Sequence, residues 1–239
     1  WKIFQVEEKI YSRYLIKTEL FQRGDDYAVK ICNALSEKIA NHKTQVSRNK
    51  WFVVVSEKIV AVSQGRSYFI WDIKTGFWAK TLSKYVTRTP YGIGLGSPWT
   101  MQLAIQEIGL PKVLWASLVA GITKPFGLKG IFYTIVGEAG RSIDGPTEHS
   151  LYPSNVSAKL APKDPQNAAE EIGRRIRENL KVSEEKQFQG VVIIDANDIG
   201  QNVMANTTPI TDSTVAQIFK DNPMGQGREQ TPVTLVVSQ

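Results

Sequence analysis

With 239 residues, 42% hydrophobic and 22% charged, the chain has the balance of a folded globular protein able to bury a substantial core. No apolar run approaches the roughly 20 residues that cross a bilayer, no charged-then-apolar leader opens the chain, and the single cysteine, Cys32, excludes an internal disulfide and a cysteine-based zinc site. A net charge of +6 reads first as solubility and otherwise as attraction of an anionic ligand such as a nucleotide, and Lys and Arg are dispersed without interleaved aromatics; the expectation is a cytoplasmic protein that meets neither nucleic acid nor membrane.

In chain order, Gly24-Asp25-Asp26 reads as a helix start with Asp at the cap, followed by helical spacing of Ala28, Ile31, Cys32, Leu35 and Ile39. Trp51 to Val55 reads as a strand, Lys58 to Val62 as a second one after Ser56-Glu57, and Ser67 to Ile73 as a third after the turn Ser63-Gln64-Gly65-Arg66. Ser97-Pro98 gives an N-cap and first helical residue, with the helix running from about Trp99 to Ile108 and stopping at Gly109. Val113 to Ile122 is expected to be a helix packed in the core, and Gly130 to Val136 a strand. Residues 137 to 162 form a long irregular segment, the kind of loop that is usually functional or disordered, and its varied composition favours function. Asp164-Pro165 opens an amphipathic helix from about Gln166 to Leu180, Gly190 to Ile194 is a buried strand, Thr214 to Phe219 a short helix, and Pro232 to Val237 a final strand. Strands interleaved with helices, without linker or internal repeat, imply a single domain of α/β (mixed α+β) class.

The strand at Val191 to Ile194 runs directly into Asp195-Ala196-Asn197-Asp198. Acidic groups at the end of a buried strand are costly unless something positive sits on them, and a hard divalent cation with bound phosphate does so. Asp144, beside the turn Gly145-Pro146, is a third acid of this kind. The other reading, that these acids cap turns and helices, stays open. Gly92 to Pro98 has the wrong spacing for a dinucleotide fingerprint, and Gly-Lys-Ser/Thr is absent, so there is no Walker loop. Gly94 and Gly96 either present backbone N–H groups to a phosphate or form a simple turn. The two histidines, His42 and His149, have no metal-type spacing, and no Gly-x-Ser-x-Gly elbow occurs.

Several short motifs stand in one order: Gly24-Asp25-Asp26, Ser63-Gln64-Gly65-Arg66, Ile143-Asp144 with the later Ser154-Asn155, Asp164-Pro165 before a helix, Val191 to Gly200, and Met224-Gly225 followed by Pro232-Val233. This ordered set, spread over most of the chain, resembles the coenzyme F420-0:L-glutamate ligases. The resemblance implies a γ-glutamyl ligase-like fold with mixed sheets and flanking helices, here with a central insertion around residues 90–130, and a homodimer. It implies an amide ligase that joins an amino acid to a substrate carboxylate through an acyl phosphate, using GTP with Mg²⁺ or Mn²⁺. It would make Asp144 a metal ligand, Asp195 or Asp198 the second, and Asn155 a nucleotide contact, with Ser56 and Glu57 near the nucleotide-contacting turn and Thr18 to Phe21 near the guanine side. Lys58 would face phosphate, and Arg66 or Arg141 would grip a substrate carboxylate, which arginine matches bidentately. The chain departs from the family pattern at Val62, where a lysine is common, and at Gln201, where an arginine is common. Those departures keep a second expectation alive, a non-catalytic nucleotide- or metabolite-binding protein on the same fold.

Overall fold

The computed structural model describes every residue except 1, 7–8, 87–93, 129, 147–151, 181–184, 197–199, 226–228 and 239, with residues 2–6 described as backbone alone. It divides into two compact units, residues 1–65 with 162–239, and residues 66–161. The class is mixed α/β, as the alternation of strand and helix patterns predicts.

The first unit is built on a six-stranded sheet. Its strands are β1 (Lys2–Val6), β2 (Lys9–Ile16), β3 (Lys50–Ser56), β6 (Phe188–Ala196), β7 (Gln201–Asn206) and β8 (Val233–Ser238), in the order β1-β2-β8-β3-β6-β7. Only the neighbours β3 and β6 run parallel; the other pairs are antiparallel. Both faces of the sheet are covered, which explains the unbroken apolar runs in β3 and β6. Alternate residues Trp51, Val53, Val55, Val191 and Ile193 pack with Ala28, Ile31 and Leu35 of α1 (Tyr27–Asn41) and Ala168, Ala169 and Ile172 of α9 (Pro165–Asn179). The intervening Phe52, Val54, Val192 and Ile194 face Val215 and Ile218 of α10 (Asp212–Ile218), together with Phe219. Each such side chain taken fully from water contributes about 1.5–3 kcal/mol. The caps are those the sequence names: Asp26 accepts from Val29 N–H, and Asp164 accepts from Asn167 N–H. Between β3 and the end of the unit's first segment lies α3 (Glu57–Ser63), and α2 (Lys43–Arg48) precedes β3.

α3 corrects one expectation. Lys58 to Val62 is helical, although its short apolar run also fits a strand. Ser56, in extended conformation, precedes the first turn, and Ile59, Val60 and Ser63 are buried at helical spacing. A run this short carries too few residues for its period to decide.

The second unit encloses its own core of Ala79, Leu95, Met101, Leu103, Ala104, Val113, Ile143, Ala158 and Leu160. Its only sheet among the described residues is the pair β4 (Ser67–Phe69) and β5 (Ser157–Lys159). Its helices include α4 (Phe77–Leu82), α5 (Pro98–Ile108), α6 (Leu110–Thr123), α7 (Ile131–Val136) and α8 (Glu138–Arg141). α5 has the predicted limits, with Ser97 Oγ accepting from Thr100 N–H and Gly109 at its end. Three expectations fail here. β4 spans three residues, not Ser67 to Ile73, because the chain turns back at Phe69, where Asp72 N–H donates to the Phe69 carbonyl at 3.0 Å. Gly130 to Val136 is helical: Gly130 and Gly137 take φ of +81° and +77° and bracket a short apolar helix that lays Phe132 and Tyr133 against the core. α6 is a helix as expected, yet only Val113 and Ala116 are buried, so most of its apolar surface faces outward.

Candidate functional site

In the first unit, β3 and β6 pair in parallel with Ser56 opposite Ile194. Their carboxyl ends therefore emerge together. Ser56, Glu57 and Lys58 carry β3 into α3, and Asp195 follows Ile194 on β6. In open α/β sheets this edge, beyond the carboxyl ends of parallel strands, is where ligands bind. The backbone there is tied down: Ser56 N–H donates to the Pro232 carbonyl at 2.8 Å. Glu57 is only 4% exposed and sits in the first turn of α3, where the helix dipole favours a carboxylate. Lys58 and Asp195 are half-buried. Asp195 lies opposite Asn202 on β7, just past an irregularity in register between Ile193 and Ile194. Irregularities of this kind re-aim side chains beside functional edges. Asp198 lies outside the described residues.

The second unit holds the other predicted residues. Asp144 forms an isolated bridge with Lys159: Asp144 N–H donates to the Lys159 carbonyl at 3.0 Å, and Lys159 N–H donates back at 2.8 Å. Their side chains also pair, with Lys159 Nζ 3.3 Å from Asp144 Oδ2. The lysine side chain is 5% exposed and the aspartate 61%, so an enclosed ammonium holds an open carboxylate. Asn155 sits in a single 3₁₀ turn, Ser154–Val156, leading into β5. Its Oδ1 is buried with no hydrogen-bond partner among the described residues. An orphaned buried acceptor is costly and calls for a donor.

Gly94 takes φ of +50°, and a Cβ there would meet the Tyr133 hydroxyl at 2.8 Å. The N–H of Leu95 donates to that hydroxyl at 3.4 Å, and Gly96 is buried. This segment is thus a packed turn before the Ser97 cap. Arg66 donates through Nε to the Ala161 carbonyl and through Nη2 to Glu107 at 2.6 Å, which fixes its guanidinium in place. Arg141 is exposed and pairs with Glu138 at 3.1 Å. His42 packs on the Tyr14 ring at 4.3 Å between centroids; His149 lies outside the described residues.

Two groupings therefore exist, one in each unit: Ser56, Glu57, Lys58 and Asp195 at a strand-end edge, and Asp144 with Lys159. Among the described residues no three His, Cys, Asp or Glu side chains gather as a metal-binding group. Lys159 is the residue that sequence reading misses. It stands in Ser157-Ala158-Lys159-Leu160, a segment with neither charge pattern nor motif, and only the bridge to Asp144 reveals it.

Comparison with curated proteins finds no match. A model of the family described as F420-0:gamma-glutamyl ligase matches residues 15–208. That range runs from the end of β2 past β7 and takes in both groupings. The chain belongs to the F420-0:gamma-glutamyl ligase family.

Proposed function

We propose that this chain is a nucleotide- and divalent-metal-dependent amide ligase that joins an amino acid to a substrate carboxylate through an acyl phosphate. Membership of the family supports the general class, a γ-glutamyl ligase that forms a carbon–nitrogen bond. The observation that carries the finer reading is the shared carboxyl end of β3 and β6, which brings the segments of Ser56, Glu57 and Lys58 and of Asp195 to one edge of the sheet.

In this reading a carboxylate oxygen of the substrate attacks the terminal phosphorus of GTP, and GDP leaves. The amine nitrogen of the incoming amino acid then attacks the acyl carbon, loses a proton and expels inorganic phosphate. Within the first unit Lys58 steadies phosphate charge and Ser56 and Glu57 contact the nucleotide; within the second unit Asn155 offers its orphaned Oδ1 to a ligand N–H or hydroxyl. Gly94 and Gly96 shape the packed turn before α5. Arg66 receives a substrate carboxylate by exchanging Glu107 for it. Asp195 and Asp198, and in the other unit Asp144, are hard oxygen donors of the type Mg²⁺ or Mn²⁺ takes. Such an ion, when bound, neutralises charge on bridging phosphate oxygens. The working form is a homodimer.

A second reading, binding of a nucleotide or metabolite without turnover, draws on Val62 and Gln201, which replace a lysine and an arginine common in the family. One experiment separates the two. Phosphate release is measured with GTP or ATP, Mn²⁺ and a panel of carboxylates and amino acids, beside calorimetry of the same nucleotides. Turnover abolished by Asp195→Ala supports the ligase. Nucleotide binding without phosphate release supports the second reading, and absence of both rejects each.

A further inference from the structure

Helix α4 runs on into one further turn. Leu82 and Ser83 keep helical backbone angles, φ −65° with ψ −36° and φ −59° with ψ −25°, and a 3₁₀ turn follows over Ser83–Tyr85. One side of residues 77–85 is spent on the core: Ala79 and Ser83 are buried, and Leu82 packs against the apolar cluster of the second unit. The other side is open. Phe77, Tyr85 and Trp78 are 72%, 77% and 43% exposed, and Lys80 and Lys84 are exposed with them. At 100° per residue these five fall within an arc of about 160°. Both lysines lie on one flank of that arc, Phe77 lies in the middle, and Trp78 and Tyr85 lie on the other flank. Exposed aromatics gathered on one face mark an interaction surface rather than ordinary scattered exposure.

Charge and ring geometry identify the partner. Among the described residues neither Lys80 nor Lys84 has a hydrogen-bond or ion-pair partner. Glu107, Glu138 and Asp144 of the same unit pair with Arg66, Arg141 and Lys159 instead, and residues 73–106 contain no acid at all. The same face on a second copy therefore holds nothing that answers the lysines. An anionic surface does. Phe77 and Trp78 pack edge to face, 5.4 Å between centroids and 75° between planes, which leaves no slot between them for a nucleobase. The rings also stand on the outside of a helical turn, whereas proteins that bind single strands stack bases along a charged groove. A bilayer interface accepts both flanks at once. Trp, Tyr and Phe settle at headgroup level, and lysine stems carry their charge to anionic headgroups. The segment does not span: its nine residues cover about 14 Å, short of the roughly 30 Å hydrocarbon core.

We propose that the outward face of residues 77–85 docks this protein on anionic phospholipid bilayers. The surface lies within the second unit and does not depend on the ligase reading. It departs from the expectation of no membrane contact. Along the sequence Lys80 and Lys84 look dispersed, and helical geometry sorts them to one flank with the aromatics beside them.

The full chain is floated on a density gradient with vesicles of phosphatidylcholine alone, or mixed with phosphatidylglycerol. Its mass in solution is measured by sedimentation velocity, and its binding to a labelled single-stranded oligonucleotide by fluorescence anisotropy. The expected result is flotation with the mixed vesicles only, weakened by salt. Phe77→Glu abolishes flotation at an unchanged unfolding midpoint, and Lys80→Glu with Lys84→Glu weakens binding at least about tenfold. Should the Phe77 variant fold poorly, the lysine variant and the salt series on the unmodified chain still decide. Failure to float with either vesicle overturns the proposal, as does equal flotation with both or flotation that survives both variants. Oligonucleotide binding that the lysine variant loses, without flotation, would make the face a nucleic-acid surface and also overturns it. So does a dimer that dissociates on Phe77→Glu without flotation, since the face would then join two copies.

Discussion

Lys159 Nζ stands 3.3 Å from Asp144 Oδ2, one partner enclosed and the other open to solvent. The pair combines a structural anchor with a reactive-looking end, and the two roles are separable. Because the carboxylate is mostly exposed, water screens the attraction, and Asp144→Asn is expected to cost under about 1 kcal/mol of stability in urea unfolding. If Asp144 serves the ligase chemistry, the same variant lowers phosphate release at least about tenfold, a loss of about 1.4 kcal/mol in transition-state stabilisation. Full turnover in Asp144→Asn removes it from the reaction.

Gly190 opens the central run of β6 with φ of +136°. A Cβ at this position would lie 2.7 Å from the Thr207 carbonyl oxygen. Both the backbone conformation and the contact oppose any side chain, so Gly190→Ala is expected to destabilise by about 2 kcal/mol or more. Denaturant unfolding checks this; a midpoint within error of the unmodified chain would sink the argument.

Arg13 on β2 is 2% exposed and reaches the far end of α10. Its Nη1 donates to the Ile218 carbonyl at 2.6 Å and to Asp221 at 2.5 Å, and Nη2 donates to the other Asp221 oxygen at 2.9 Å. Removing the carboxylate takes two charge-assisted hydrogen bonds from a guanidinium in the interior. Asp221→Ala should therefore cost about 3 kcal/mol, read from the shift in urea midpoint. Asp221→Glu, which keeps the charge, should recover part of it.

Alkaline pH probes the helical face of the first unit. Burial pushes the Cys32 thiol from 9.0 up to about 11, and burial together with the Glu171 contact raises Tyr27 above its usual 10.0. Both groups are neutral when protonated, and folding holds those protons more tightly than the unfolded chain does. Their contribution is complete below about pH 9 and is lost as pH rises, through about 11 for Cys32 and from 10 upward for Tyr27. Unfolding midpoints measured from pH 8 upward should fall across that window, and Cys32→Ser should flatten the part between 9 and 11. An unchanged slope in the serine variant would show that the thiol is not responsible.

Legibility in the sequence followed the strength of local signals. Trp51 to Val55 and Val191 to Ile194 were readable because strands covered on both faces need unbroken apolar runs. Asp26, Ser97-Pro98, Gly109 and Asp164-Pro165 marked helix limits because caps act within four residues. Lys58 to Val62 and Gly130 to Val136 fit either period because segments of five to seven residues are too short to decide, and only their surroundings choose. The strand β7 and the amino-terminal hairpin of β1 and β2 carry no clear strand pattern in sequence, and only their pairing in the sheet defines them. Asp195 stands out in the sequence because it follows an unbroken apolar run. Lys159 does not, since its importance lies in a partner fifteen residues away.

β8, the strand latest in sequence among the described residues, occupies an interior place in its sheet. β8, residues Val233–Ser238, lies between β2 and β3 and hydrogen-bonds to both. During synthesis the sheet of the first unit consequently stays split into two open halves until this segment has left the ribosome, while all of residues 66–161 have emerged well before. Two sheet edges wait exposed for that interval, each a template for pairing with another chain. A nascent polypeptide halted before residue 233 would hold those edges open to pairing with another chain.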